Sequence, residues 1–197
     1  MILSPRILLA ALLISGLLGC AGKEFTRPEA TALRNGETTY AQVIEKFGKP
    51  FAEGTLIRND RTVRNATYVH SESAGKGARE GIVPSRSMSL YFLDDVLVGH
   101  EYLSSWASDS TDFDEGQRKY IEKGKTTEAE LVQMLGKPSG YEIYPMIASK
   151  TDHAAVYAYA ELDRGTLSRK AYRKVLVVSL DAAGIVTEFD YTSVGSK

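Results

Sequence analysis

The chain has few of the residues from which disulfides and metal centres are built. Its 197 residues include one cysteine, Cys20, and three histidines. One cysteine excludes an internal disulfide, and a zinc site of the usual cysteine and histidine type is not expected. His70, His100 and His153 have no second histidine at metal-ligand spacing. We therefore expect no bound metal and no cofactor.

An excess of charge of one sign is also missing. The 24 basic and 25 acidic side chains give a formal net charge of −1. That balance excludes the basic surface by which a protein binds nucleic acid. The acidic run at 109–115 does not fit an EF-hand calcium loop, because Thr111 and Phe113 would occupy ligand positions. We interpret this run as a solvated linker.

Motifs of catalysis are incomplete. Gly124-Lys125-Thr126 ends like a P-loop, but Lys119 stands where the first glycine is required. Ser73 and Lys76 have the spacing of a lysine-activated serine, but the accompanying Ser-Asp-Asn and Lys-Thr-Gly elements are missing. The surrounding segment, 71–84, is rich in glycine, serine and charge and is predicted to be a mobile loop. We expect that the protein is not an enzyme.

The long apolar run of the sequence lies at its N-terminus. Residues 7–18 are apolar except for a serine and a glycine, and Arg6 precedes them. A dozen apolar residues are too few to span a bilayer but are typical of a signal peptide. Leu17-Leu18-Gly19-Cys20 resembles a lipobox, which predicts a lipoprotein signal peptide over 1–19 and lipidation of Cys20. The alternative is an ordinary secretory signal with a chance cysteine.

Lipidation of Cys20 would anchor the protein to a membrane, because several acyl chains on one residue do not dissociate readily. Ala21 follows the cysteine in place of the aspartate that usually retains lipoproteins in the inner membrane. We therefore expect an outer-membrane protein that faces the periplasm. Residues 20–28 are interpreted as a lipidated tether of at most roughly 25–30 Å.

One segment of the mature chain occurs twice, with an offset of 88 residues. Gly36-Glu-Thr-Thr39 recurs as Gly124-Lys-Thr-Thr127, and Gly48-Lys-Pro50 recurs as Gly136-Lys-Pro138. Each copy predicts a capping box at its second threonine, a helix of about two turns and a stop at Gly-Lys-Pro. A third capping box, Asp114 with Gln117, predicts a further helix before the second copy.

Each copy is followed by segments that alternate as strands do. Asn59-Asp60 and Asp94-Asp95 are predicted to be the turns of two hairpins in the first half. Four strands are expected in the second half, the first of them demoted to an edge or broken strand by Pro145. They are predicted over 141–147, 154–162, 174–180 and 185–191.

The repeated pattern resembles the SmpA/OmlA, or BamE-like, family of bacterial lipoproteins. The tandem arrangement is also similar to the fold of the β-lactamase inhibitor protein. These resemblances imply an α+β fold of tandem α-α-β units, with the helices packed on one face of a curved antiparallel sheet. The expected organisation is a first repeat at 29–103, a linker at 104–113 and a second repeat at 114–197.

A protein-binding surface is predicted in the second repeat. Tyr157 and Tyr159 share one face of a strand, and an exposed tyrosine row would suit a protein partner. Packing in the core is the alternative. Arg169, Lys170 and Arg173 belong to a basic cluster that could contact an acidic partner or lipid headgroups. A solvated loop is the alternative for these three.

The family resemblance implies a binding function in the cell envelope. The expected role is that of a protein-binding accessory or scaffold of an envelope assembly, such as outer-membrane protein assembly. Its partners would be the membrane, through the lipid on Cys20, and an envelope protein. The alternative is a protein inhibitor of a periplasmic hydrolase.

Overall fold

Eight antiparallel strands form one continuous sheet. The computed structural model describes residues 23–72, 74–164 and 170–196. The strand order in the sheet is the order in the sequence, so the sheet is a simple meander. The strands are β1 (Ala52–Arg58), β2 (Arg61–Ser71), β3 (Ser85–Leu93), β4 (Val96–Ser104), β5 (Gly140–Ile143), β6 (His153–Leu162), β7 (Ala171–Leu180) and β8 (Val186–Gly195).

The described chain contains two α-helices of eight residues, and each helix is followed by four strands. They are α1 (Tyr40–Phe47) and α2 (Glu128–Leu135). Each ends at a glycine with a positive φ, 79° at Gly48 and 82° at Gly136. This confirms the predicted glycine stops, since glycine adopts a positive φ without steric cost. Within the described residues, no helix is long and apolar enough to cross a membrane.

The capping boxes predicted for both helices are confirmed. The side-chain oxygen of Thr39 accepts a hydrogen bond from the backbone N–H of Gln42, whose side chain accepts from the Thr39 N–H at 2.8 Å. Thr127 and Glu130 make the same two bonds at 3.2 and 2.8 Å. Each box satisfies N–H groups that the helix itself cannot pair.

The same backbone hydrogen bonds recur in both halves of the chain. The Gly36 N–H donates to the Leu97 carbonyl at 2.7 Å, and the Gly124 N–H donates to the Val186 carbonyl at 2.8 Å. A register shift interrupts the pairing of β3 with β4, and another interrupts that of β7 with β8 at the matched place. Each half is therefore one copy of the same arrangement of helix and four strands.

The predicted fold class of tandem α-α-β units is wrong. Only one α-helix occurs in each half of the described chain, because 3-10 helices at Ala30–Ala32 and Glu115–Tyr120 replace the first helix of each expected pair. Such short segments form i→i+3 bonds more readily than an α-helix, whose nucleation is costly. All eight strands join in a single sheet, which dominates the fold.

Successive side chains of each strand point to opposite faces of the sheet. On one face, here called the helix face, α1 and α2 pack on the strands. The core of the first repeat contains Leu33, Val43, Ala66, Tyr68, Met88, Leu90, Phe92, Leu97 and Tyr102. The core of the second contains Phe113, Ile121, Leu131, Leu135, Ala155, Tyr157, Leu176, Val178, Leu180 and Val186.

The two repeats meet at a seam formed by β4, β5 and β6. β5 has four residues and pairs on both sides. Just before it, the hydroxyl of Ser139 donates to the carbonyl of Ala158 and accepts from its N–H, both at 2.9 Å. The Ser139 carbonyl accepts from the Tyr102 N–H at 2.9 Å. Ser139 therefore links β4 to β6 just before β5 begins.

The linker predicted at 104–113 is held on the helix face. Asp109 accepts hydrogen bonds from Arg86 at 3.0 Å and from Tyr102 and Ser104 at 2.7 Å. At its other end Lys174, almost fully buried, donates to the Phe113 carbonyl. These bonds keep the acidic linker from moving as a free chain.

Two further segments are fixed more firmly than the sequence indicates. The segment after β2, predicted to be mobile, donates backbone hydrogen bonds from Ala78 to Ser105 at 2.7 Å and from Val83 to Leu162 at 2.9 Å. The tether predicted over 20–28 also packs on the helix face in its later part. There the ring of Phe25 contacts Tyr102, and Arg27 donates to the carbonyl of Pro138.

Candidate functional site on the open face of the sheet

The second face of the sheet, here called the open face, is covered by no helix of the described chain, since both α-helices contribute to the cores of the other face. Strand pairing and alternation determine which side chains it presents. They include Asn65 and Thr67 of β2, Ser87, Ser89 and Tyr91 of β3, Glu101 and Leu103 of β4, Glu142 of β5, Val156, Ala158 and Ala160 of β6, Arg173, Val175 and Val177 of β7, and Thr192 and Val194 of β8.

The centre of the open face is apolar. Leu103, Val156 and Ala158 form a cluster there, with Ala160 and Val175 packed against it. Leu103 belongs to the first repeat and the others to the second, so the apolar strip crosses the seam. Val156 and Ala158 are buried within the described chain and Leu103 nearly so, and the accessible part of the strip consists of the half-buried Ala160 and Val175.

An ion pair with a buried carboxylate lies beside this strip. Glu101 on β4 accepts two hydrogen bonds from Arg173 on β7, at 2.7 and 3.1 Å. The glutamate side chain is 8% exposed and the arginine 51%. The strand neighbour of Arg173 is Ala160, whose small side chain leaves room for the arginine to reach across. Burial raises the pKa of Glu101, and Arg173 opposes that effect.

Glu142 is the second carboxylate on this part of the open face. Burial and, to a smaller degree, the charge of Glu101 raise the pKa of Glu142 to about 7, although Arg58 and Arg173 act in the opposite direction. Burial and the two carboxylates also raise the pKa of Tyr91 to about 12. This region therefore has one paired carboxylate and one that changes charge near neutral pH.

The two glutamates do not form a metal centre. Among residues 23–72, 74–164 and 170–196, no group of three or more histidine, cysteine, aspartate or glutamate side chains is placed to hold a metal ion. Glu101 is already bound to Arg173. The arrangement offers contact area, hydrogen bonds and one titrating carboxylate, which are the properties of a binding surface.

The tyrosines predicted to form a contact row lie in the core. Tyr157 is 1% exposed and Tyr159 is fully buried. Both point to the helix face, where Tyr157 packs on Phe113 and the hydroxyl of Tyr159 donates to Glu161 at 2.8 Å. The alternative of core packing is what the structure shows, and neither tyrosine is available to a partner.

The predicted basic cluster is only partly brought together. Arg173 lies on the open face but is bound to Glu101, and Lys170 is exposed just before β7. Arg169 and the proposed lipidation site Cys20 lie outside the described residues. Sequence reasoning missed Glu101 and Glu142, because nothing in their neighbourhoods indicates that both would be buried on one face.

Comparison with known proteins gives a distant likeness. No family model matches the chain, and neither does any curated protein. The chain is similar to a solved structure from Streptococcus mutans described as a candidate beta-lactamase inhibitor protein. The two share 12% identity with a TM-score of 0.39, over 79% of this chain and 82% of that chain. The resemblance to SmpA/OmlA lipoproteins therefore has no support from a family model.

Proposed function

We propose that the protein is an outer-membrane lipoprotein, anchored through Cys20 on the periplasmic side, whose open face binds another envelope protein. In this proposal it serves as an accessory or scaffold of an envelope assembly, such as the assembly of outer-membrane proteins, and catalyses no reaction. The signal peptide and lipobox patterns support the location. The open face supports the binding role.

The apolar strip that crosses the seam carries this proposal. Val175 and Ala160 are half-buried on a face without a helix, and Ser87 and Ser89 flank the first-repeat end of the strip, where they pair with Leu103 and Glu101. An apolar centre with a polar rim is typical of protein interfaces. Because the strip lies on hydrogen-bonded strands, its backbone has little freedom to lose when a partner binds.

Site-specific crosslinking in the native cells tests the binding face. A photoreactive amino acid at Val175, on the open face, should give a discrete adduct with one envelope protein. The same amino acid at Val132, which is exposed on α2, is the matched control and should give none. Equal adducts from both positions, or none from Val175, would contradict the proposal.

A charge beside the strip, at the strand partner of Val156, should remove the adduct. Val177→Arg, read out with the crosslinker at Val175, is expected to lower its yield at least tenfold, whereas Val132→Arg leaves it unchanged. If the captured partner is a periplasmic hydrolase, its turnover with and without the purified protein decides between the two roles. Inhibition would favour the inhibitor function, and unchanged turnover the scaffold.

A further inference from the structure

A cleft of about 360 Å³ lies beside the first residues that the structure describes. Its apolar lining comes from four parts of the chain: Phe25 from the N-terminal segment, Phe47 from α1, Tyr68 from β2 and Met88 from β3. Charged side chains also line it, namely Lys23, Glu24, Arg27, Glu29 and Lys46. Tyr68 and Met88 are buried members of the first core. The cleft is therefore an opening onto the core of the first repeat.

The N-terminal segment forms both a wall and the rim of this cleft. Phe25 packs against the first core, and Lys23 lies at the edge of the cleft with Lys46 of α1. Cys20 precedes Lys23 by three residues. An extended chain of that length spans at most roughly 11 Å. Any group attached to the sulfur of Cys20 therefore begins within reach of the cleft.

We propose that this cleft receives an acyl chain carried by Cys20 whenever the protein is away from the membrane. The inference rests on the proposed lipid anchor. An acyl chain exposed to water is unfavourable in proportion to its apolar area. Phe25, Phe47 and Met88 supply an apolar surface next to the attachment point. The cleft thus shields the lipid during transit and releases it when a bilayer is present.

A chemically attached chain tests the cleft directly. Because Cys20 is the only cysteine, a thiol-reactive hexadecyl reagent modifies the unlipidated chain from residue 20 at that one place. Met88 lies in the cleft, while Met134 and Met146 lie elsewhere and serve as internal controls. We expect the hexadecyl adduct to shift the methyl resonance of Met88 alone and to show contacts with the chain methylenes, and a methyl adduct to show neither.

Two variants control for indirect effects. Phe47→Glu places a charge in the cleft and should reduce the hexadecyl contacts at Met88 at least tenfold, with the Met134 and Met146 resonances showing that the fold is kept. The matched variant, Val132→Glu, changes an exposed apolar residue of α2 and should have no effect.

The possible outcomes distinguish a failure of acyl binding in the cleft from a failure of the proposed lipidation of Cys20. Identical Met88 signals in the hexadecyl and methyl adducts would overturn the inference. A Met88 shift in the unmodified precursor that retains residues 1–19 would also overturn it, by assigning the cleft to the signal peptide. Incorporation of labelled palmitate at Cys20 in cells tests the anchor alone, whatever the result at Met88.

Discussion

Glu142 shows how the fold changes the behaviour of a single residue. Burial and the charge of Glu101 raise its pKa to about 7. The folded state therefore holds its proton at pH values where the unfolded chain has lost it. The contribution of Glu142 to the free energy of unfolding is retained below pH 4.5 and is lost as the pH rises to about 7.

Glu142→Gln should stabilise the protein at high pH. Because the glutamine carries no charge to bury, we expect the free energy of unfolding at pH 8 to rise by about 1–3 kcal/mol relative to the wild type. At pH 4 the gain should disappear. Urea unfolding at both pH values measures the difference, with Glu45→Gln on the exposed side of α1 as the matched control. A gain of equal size at pH 4 and pH 8 would contradict the assigned cause.

At the residue scale, sequence reasoning worked where the cause is local. The caps at Thr39 and Thr127 depend on side chains three residues apart, so the sequence contains both partners. The burial of Tyr157 and Tyr159 depends instead on the distant linker residue Phe113 and on β7. The pairing of Glu101 with Arg173 likewise joins residues 72 positions apart. No local pattern distinguishes such a buried residue from an exposed one.

The strands and turns were largely predictable from the sequence. The number of α-helices in each repeat was not. Asn59-Asp60 and Asp94-Asp95 form the predicted turns, with positive φ at all four residues. These turns depend on aspartate and asparagine, which tolerate that conformation. The joining of all eight strands in one sheet depends on β5, a strand shortened before Pro145 to four residues. Alternation alone cannot reveal such a connection.

The two helix caps should contribute about equally, because both make the two backbone hydrogen bonds of a capping box, to which Thr127 adds a bond from its hydroxyl to Glu130 at 2.9 Å. Thr39→Ala and Thr127→Ala are each expected to lower the free energy of unfolding by about 1 kcal/mol. The double variant should lose about 2 kcal/mol, since the sites share no contact. Chemical denaturation gives these values, and Thr26→Ala, at an exposed position, is the control. A loss at one site only would show that the repeated caps are not equivalent.

For the whole molecule, the seam makes the two repeats one folding unit. β5 pairs with both neighbours, Arg173 binds Glu101 across the seam, and Lys174 binds the linker. We therefore expect a single unfolding transition. Trp106 fluorescence and the Met134 methyl resonance should report the same midpoint, although they lie in different parts of the protein.

A variant that weakens the seam tests whether the two repeats unfold together. Ser139→Ala leaves the N–H and carbonyl of Ala158 without the hydroxyl that now pairs both, and should cost about 2 kcal/mol. Both probes should still move together. Ser193→Ala, at an exposed place on β8, is the control. Separate midpoints for Trp106 and Met134 would show that the repeats unfold independently.

In the first repeat, the position that corresponds to Ser139 is Phe51, 63% exposed beside the free side of β1. β1 and β8, the outermost strands, correspond to β5 and β4, which are joined in the middle of the sheet. A neighbouring molecule that offered its β8 to this β1 would meet the exposed phenyl ring of Phe51 at the place where the internal junction has the small, buried Ser139. Head-to-tail growth into fibres is thereby disfavoured, although both ends of the sheet are unpaired.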